Sequence, residues 1–402
     1  MSFPVCRHAK RKRRTISNPL VWLGSEPYRI FFLSGILFSI AGVMMWPLFY
    51  KGHLSFYPGV SHARVMIQAF AGAFVVGFLG TAGPRMLSAP RLKPWELVLL
   101  FFLHLAGGLC HLRGMTVWGD SLFLALLLGF AAALGVRVVG FRKELPPPPL
   151  LLAATGLVCG IAGTFLWLNP AWLVTSGVHR LAGLLLYQGF LLGPVMGVGI
   201  FLFPRLLGSD FGEPEQGAET RKSWWNMSIV ALVLVASFGV EVWLNQNAGL
   251  LLRAAAFGFA LSNVRWLLKP GSPKIGTLAN ALRIWCLPLA LAGLIAPVFF
   301  YSRHIAVDHL LFVSGFGLVC LIAGSRVLFG HSGRVERFAN RSWTARIIVF
   351  AIVLAALTRV SADFLPRVMM THYEYAAWSW ITGAALWAIW HAPRFFKKDD
   401  EE

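Results

Sequence analysis

Acidic residues are scarce in this chain. It has 17 Asp and Glu against 36 Lys and Arg in 402 residues, and charged residues of both signs make up only 13% of it. Soluble globular proteins carry about a quarter, so a water-soluble enzyme of this length is excluded. Cysteine is also sparse. Cys6, Cys110, Cys159, Cys286 and Cys320 are scattered, with no CxxC pair and no CxxCH for covalently attached haem. Neither a disulfide framework nor an iron–sulfur cluster is supported, and these residues read as small packing groups. No Walker motif, nucleophile elbow or HExxH occurs, which removes the common hydrolytic chemistries. No small-residue cleavage site follows the first apolar run, so a cleaved signal peptide is not expected.

What fills the chain is apolar. It is 57% hydrophobic, with 16 Trp and 32 Phe. Twelve apolar runs fall near 29–50, 62–82, 95–112, 117–139, 148–168, 181–203, 225–244, 248–268, 281–301, 305–329, 343–364 and 371–391. Each approaches the roughly 20 residues a helix needs to cross a bilayer core. The expected fold is an all-α polytopic membrane protein of about twelve transmembrane helices. It divides into a basic segment at 1–26, a membrane domain at 27–392 and a tail at 393–402. The "PPPP" at Pro146–Pro149 is a stiff connection, and Gly208 to Lys222 is the longest polar loop.

The net charge of +19 is distributed by topology. Six Lys or Arg lie between Arg7 and Arg14, and alternate connections are basic, as at Arg85, Arg91 and Lys93 or Arg334, Arg337 and Arg341. The connections between them carry at most one. Cytoplasmic loops hold the Lys/Arg excess, which places both termini inside an inner membrane. Nucleic acid is not the partner; the lipid bilayer is.

The runs echo one another. "GVSHAR" opens the second, "GVHRLAG" the sixth and "AVDHLL" the tenth, and two of these end in Pro-Arg, at Pro84-Arg85 and Pro204-Arg205. The spacing suggests three four-helix units. Ala69, Ala73 and Gly77, and likewise Gly189, Gly193 and Gly197, form four-residue seams of the kind that let membrane helices pack closely. His62 heads the first seam.

Of eleven histidines, seven fall at the outer side: His53, His62, His111, His179, His304, His309 and His372. Paired imidazoles from different helices can hold haem iron or copper. His62 and His309 satisfy this if the second and tenth helices are neighbours. His309 and His331 share a helix face but lie roughly 33 Å apart at 1.5 Å per residue, too far for one metal. Copper prefers two or three histidines together, with His179, His304 and His372 as candidates. Singly, each histidine equally suits an interfacial packing role. Glu241, Asp308, Asp363 and Glu374 fall at or near outer ends, and Asp120 and Glu96 at helix starts. The lack of a midplane carboxylate counts against an ion-coupled carrier.

Two blocks resemble the NnrS family, nitric-oxide-response membrane proteins described as containing haem and copper. In "DHLLFVSGFGLVCLIAGSRVLFGHSGR", His309, Gly315, Arg326, Gly330, His331, Gly333 and Arg334 match the family pattern. In "GVSHARVMIQAFAGAFVVGFLGTA", His62, Ala63, Met66, Gly77, Phe78, Leu79, Thr81 and Ala82 match. Arg29, Phe31, "TRV" at Thr358 and the helix around Trp378 to Trp387 agree more weakly. The chain departs from the pattern at Arg64, where the family has a second histidine, and at Val65, where it has Glu. Arg64 cannot ligate copper but could pair with a haem propionate.

The resemblance implies b-type haem at His62 and His309, copper put in doubt by Arg64, and metal candidates at His331 and His179. Arg326 and Arg334 form a further polar site with His331, or an interfacial helix end. It also implies kinship with haem–copper oxidases, whose twelve helices form three four-helix units with ligands on the second, sixth and tenth. The expected role is haem-dependent nitric-oxide response or protection from nitrosative stress, with nitric oxide or nitrosyl-iron species as partners. No catalytic residue is assigned. A metal-free transporter of a small solute, or an accessory subunit of a respiratory complex, stays open.

Overall fold

A computed structural model of the chain describes residues 24–207, 218–262 and 276–397. The basic segment, most of the long loop at 208–222, the end of the eighth run and the last residues of the tail lie outside them. The described residues are mostly helical and contain no strand. Twelve long helices follow one another: α1 Pro27–Tyr50, α2 Gly59–Met86, α3 Pro94–Leu112, α4 Thr116–Phe141, α5 Leu150–Trp167, α6 Ser176–Pro204, α7 Arg221–Leu244, α8 Gln246–Ser262, α9 Thr277–Phe299, α10 Tyr301–His331, α11 Trp343–Phe364 and α12 Met369–Phe395.

Ten of these are long and apolar enough to cross a membrane. The two others are α8, with 17 described residues, and α12, with 27 residues but more polar ones, among them His372, Glu374, His391 and Arg394. The protein is a multi-pass membrane protein. Helix is the answer the bilayer imposes, since a spanning segment must satisfy its own backbone groups.

Glycine-rich faces decide which helices touch. A Cβ on Gly193 would meet the Leu152 carbonyl oxygen at 2.5 Å, and one on Gly197 would meet the Pro149 carbonyl oxygen at 2.5 Å. The expected seam of α6 therefore lies directly on the backbone of α5. The seam of α2 lies on α1, with Ala73 against Gly35 and Gly77 under Phe31 and Phe32. Gly324 of α10 faces Phe74 of α2 and Trp387 of α12, so α2 and α10 are neighbours.

Burial separates inner helices from outer ones. The apolar stretch of α2 is 83% buried inside the protein and that of α6 72%, against 33% for α3, α4 and α7. With α10 and α1, each at 61%, the echo helices form the middle of the bundle. The three echo helices each interrupt their α-helix with a π-helical segment after the first two to three turns: Val65–Ala71, Leu184–Gly189 and Leu310–Gly317. Shorter π segments end α4 and α7 and lie near the start of α9. A π turn inserts one residue and re-aims the side chains that precede it.

Candidate functional site

His62 stands one turn into α2, half-buried, and its Nδ1 donates to the carbonyl of Gly42 in α1 at 2.9 Å. His309 stands two turns into α10, also half-buried, and its Nδ1 donates to the Ile305 carbonyl at 2.6 Å. A carbonyl oxygen can only accept, so each Nδ1 carries the proton. Each Nε2 is left with its lone pair and, among the described residues, no hydrogen-bond partner. This second hydrogen bond fixes the tautomer and ring direction of histidines that ligate metals. The two rings lie within electrostatic reach of each other.

Aromatic and charged residues enclose this end. Trp46 lies 5.9 Å from the His62 ring and packs against Tyr50 and Tyr57. Arg359 of α11 is within reach of both His62 and His309. Its Nη1 donates to Asp363 at 3.2 Å and its guanidinium lies 4.7 Å over the Tyr373 ring. The Tyr373 hydroxyl also donates to Asp363. Arg359 was visible in sequence only as part of "TRV"; its place beside the histidines comes from the packing of α11 against α10.

Two buried networks hold the same end together. Arg64 Nε donates to both oxygens of Asp120, at 2.8 and 3.1 Å, and Arg64 Nη1 donates to the Tyr187 hydroxyl of α6. The guanidinium covers the Trp167 ring at 4.4 Å. Gln68 Nε2 donates to Asp120 at 2.5 Å, which leaves its Oε1 to accept from His111 Nε2 at 2.8 Å. The second network repeats this chemistry. Arg253 Nη2 donates to Glu241 at 2.5 Å and Nη1 to Gln188 at 2.7 Å, while Arg180 Nη2 reaches Glu241 at 2.8 Å. Asp308, one residue before His309, lies in the electrostatic reach of Arg180 and Arg253. The first network ties α2 and α3 to α4 and α6; the second ties α6 to α7, α8 and α10.

Glutamines and arginines inside apolar runs were the available sequence signal for these networks, because a polar group at such depth is expensive unless paired. Asp120 and Glu241 sit near helix ends, as expected, but are fully enclosed by protein. Burial could not be read from position along the run.

The remaining candidates are elsewhere. His179 is exposed against Trp167, 4.7 Å between rings, and makes no contact with His62 or His309. His331 is buried at the opposite end of α10, where Arg85 Nη1 lies 3.3 Å from its Nε2 and its ring lies 4.7 Å from that of Tyr28. Arg326 and Arg334 are half-buried at that same end. Among the described residues no group of three or more His, Cys, Asp or Glu is arranged to hold a metal ion. A small cavity of about 10 Å³, room for one water, lies between Gln68, His104 and His111 and is lined by neither His62 nor His309.

A family model described as "NnrS protein" matches residues 22–398, nearly the whole chain. No curated protein matches it. The match covers every helix and both blocks that carried the resemblance, so the chain belongs to the NnrS family.

Proposed function

We propose that the protein binds a b-type haem through His62 and His309 and uses it in the nitric-oxide response, the setting that its family membership supports. One observation carries the reading. Two half-buried imidazoles on different central helices come within electrostatic reach, each with Nδ1 donating to a backbone carbonyl and Nε2 left with its lone pair. That donor set suits imidazole ligation of haem iron, which these two residues would hold. His62 and His309 would hold the haem, whose iron would supply a centre for nitric oxide once one imidazole gave way.

The chain's own residues supply the rest. The carbonyls of Gly42 and Ile305 hold the imidazoles in one tautomer. Arg359 places a cation near both rings, suited to offset the propionates. Arg64 is already matched by Asp120, so its role is to anchor α2 to α4 and α6. Copper has no donor at position 64, and this reading assigns none to the site. The Lys/Arg-rich connections support a cytoplasmic side for both termini and a bacterial inner membrane as the location.

The test is the optical spectrum of the detergent-purified protein after expression with ample haem. A Soret band that disappears in the His62→Ala, His309→Ala double variant supports the assignment. Absence of the band in the wild type overturns haem binding, and its survival in the double variant overturns the ligands.

A further inference from the structure

At the opposite end of the bundle from His62 lies a positive site that haem binding does not use. Arg394, near the end of α12, is 8% exposed. Three other buried arginines hold a carboxylate: Arg64 has Asp120, Arg137 has Glu96 and Arg253 has Glu241. Arg394 has none among the described residues. Its Nη1 donates to the Trp390 carbonyl at 2.5 Å, its guanidinium lies 4.5 Å over the Phe329 ring, and its Nε has no hydrogen-bond partner.

The surroundings add charge of the same sign. Arg334 and Arg337 are the charges that act on Arg394. Arg334 is held by the turn that ends α10: Gly333, at φ +63°, lets the Arg334 N–H return to the Phe329 carbonyl at 2.9 Å and its own N–H to Gly330 at 3.2 Å. This is the paired closure that a left-handed glycine permits after a helix. It consumes the last carbonyls of α10. Those of α12 are taken by Arg29, whose Nη1 donates to Phe395 at 2.7 Å. Among the described residues, the Trp390 carbonyl is the hydrogen-bond acceptor that Arg394 keeps. Glu26 is held by Arg85 and Arg91, and Glu336 is exposed and bonded to none of the three arginines.

We infer that Arg394, Arg334 and Arg337 form a binding site for a phosphate oxyanion, either free or on a lipid headgroup. A buried guanidinium with an unused N–H and no counter-charge is costly. The guanidinium fork matches tetrahedral oxyanions, and basic pockets at the ends of membrane helices take lipid phosphates. The site is independent of the haem reading.

The experiment is thermal unfolding of the full-length purified protein, followed by tryptophan fluorescence. Inorganic phosphate is titrated against chloride at equal ionic strength, and protein in phosphatidylcholine nanodiscs is compared with protein in phosphatidylglycerol-containing ones. A saturable rise in the midpoint with phosphate identifies a free anion. A rise confined to phosphatidylglycerol discs identifies a headgroup. Either must be lost in Arg394→Gln and in the Arg334→Gln, Arg337→Gln double variant, whose more exposed positions keep the test valid if Arg394→Gln fails to fold. A midpoint indifferent to both ligands overturns the proposal, as does a full shift in the double variant. So does a shift that appears only when Asp399, Asp400, Glu401 and Glu402 are neutralised, because the acidic tail is then the counter-ion.

Discussion

Arg64 and Asp120 form a 2.8 Å ion pair whose side chains are 1% and 6% exposed. The pair joins α2 to α4 inside the bundle, two residues beyond His62. Breaking such a pair costs more than the pair is worth, because the surviving charge stays buried.

Asp120→Asn is therefore expected to lower stability by about 3–5 kcal/mol, seen as a reduced unfolding midpoint in detergent. The Arg64→Met, Asp120→Leu double variant removes both charges and should recover most of that loss. If the double variant is less stable than Asp120→Asn alone, the uncompensated charge is not the cause.

If His62 and His309 both hold haem, removing either should change the haem spectrum without abolishing it. His62→Ala and His309→Ala are each expected to convert a six-coordinate, low-spin spectrum to a five-coordinate one. A single variant with an unchanged spectrum would remove that residue from the ligand set.

Metal content separates haem iron from copper. Elemental analysis of the purified protein should find iron in proportion to the Soret band and copper at background. Stoichiometric copper would show that a donor set other than one built on position 64 is in use.

Helix seams respond to added volume according to what faces them. At Gly193 a Cβ meets the Leu152 carbonyl and the Gly156 backbone N at 2.5 and 2.6 Å, and backbone cannot rotate away. Gly193→Ala should cost about 1–3 kcal/mol and lower the unfolding midpoint. Gly258, in α8, has nothing within 4 Å of its Cβ position. Gly258→Ala should be neutral or stabilising by up to about 1 kcal/mol through helix propensity. A Gly193→Ala midpoint equal to wild type would mean that α5 and α6 do not touch there.

The legible part of this protein was one-dimensional. Apolar runs of span length appear as helices whatever their neighbours, because the bilayer offers the backbone no partner. For the same reason the seams at Ala73, Gly77, Gly193 and Gly197 could be recognised: a small residue every fourth position leaves a groove only another helix can fill. His62 and His309 were singled out by their placement at helix mouths and by the family resemblance.

Which residues surround them was not legible. Arg359 lies fifty residues beyond His309 in sequence, and its approach depends on how α11 packs. Gln68 and Gln188 each hydrogen-bond within an arginine–carboxylate pair, a role that their places in apolar runs do not state. Composition determined that the chain is a helical membrane protein, since hydrophobic length and backbone satisfaction act along each segment separately. Tertiary structure alone decided that Arg64 faces Asp120 and that, among the described residues, Arg394 faces no acid and the Nε2 atoms of two imidazoles meet no hydrogen-bond partner. Side-chain charges and hydrogen bonds act over a few ångströms in space, and the sequence does not state which helices close that distance.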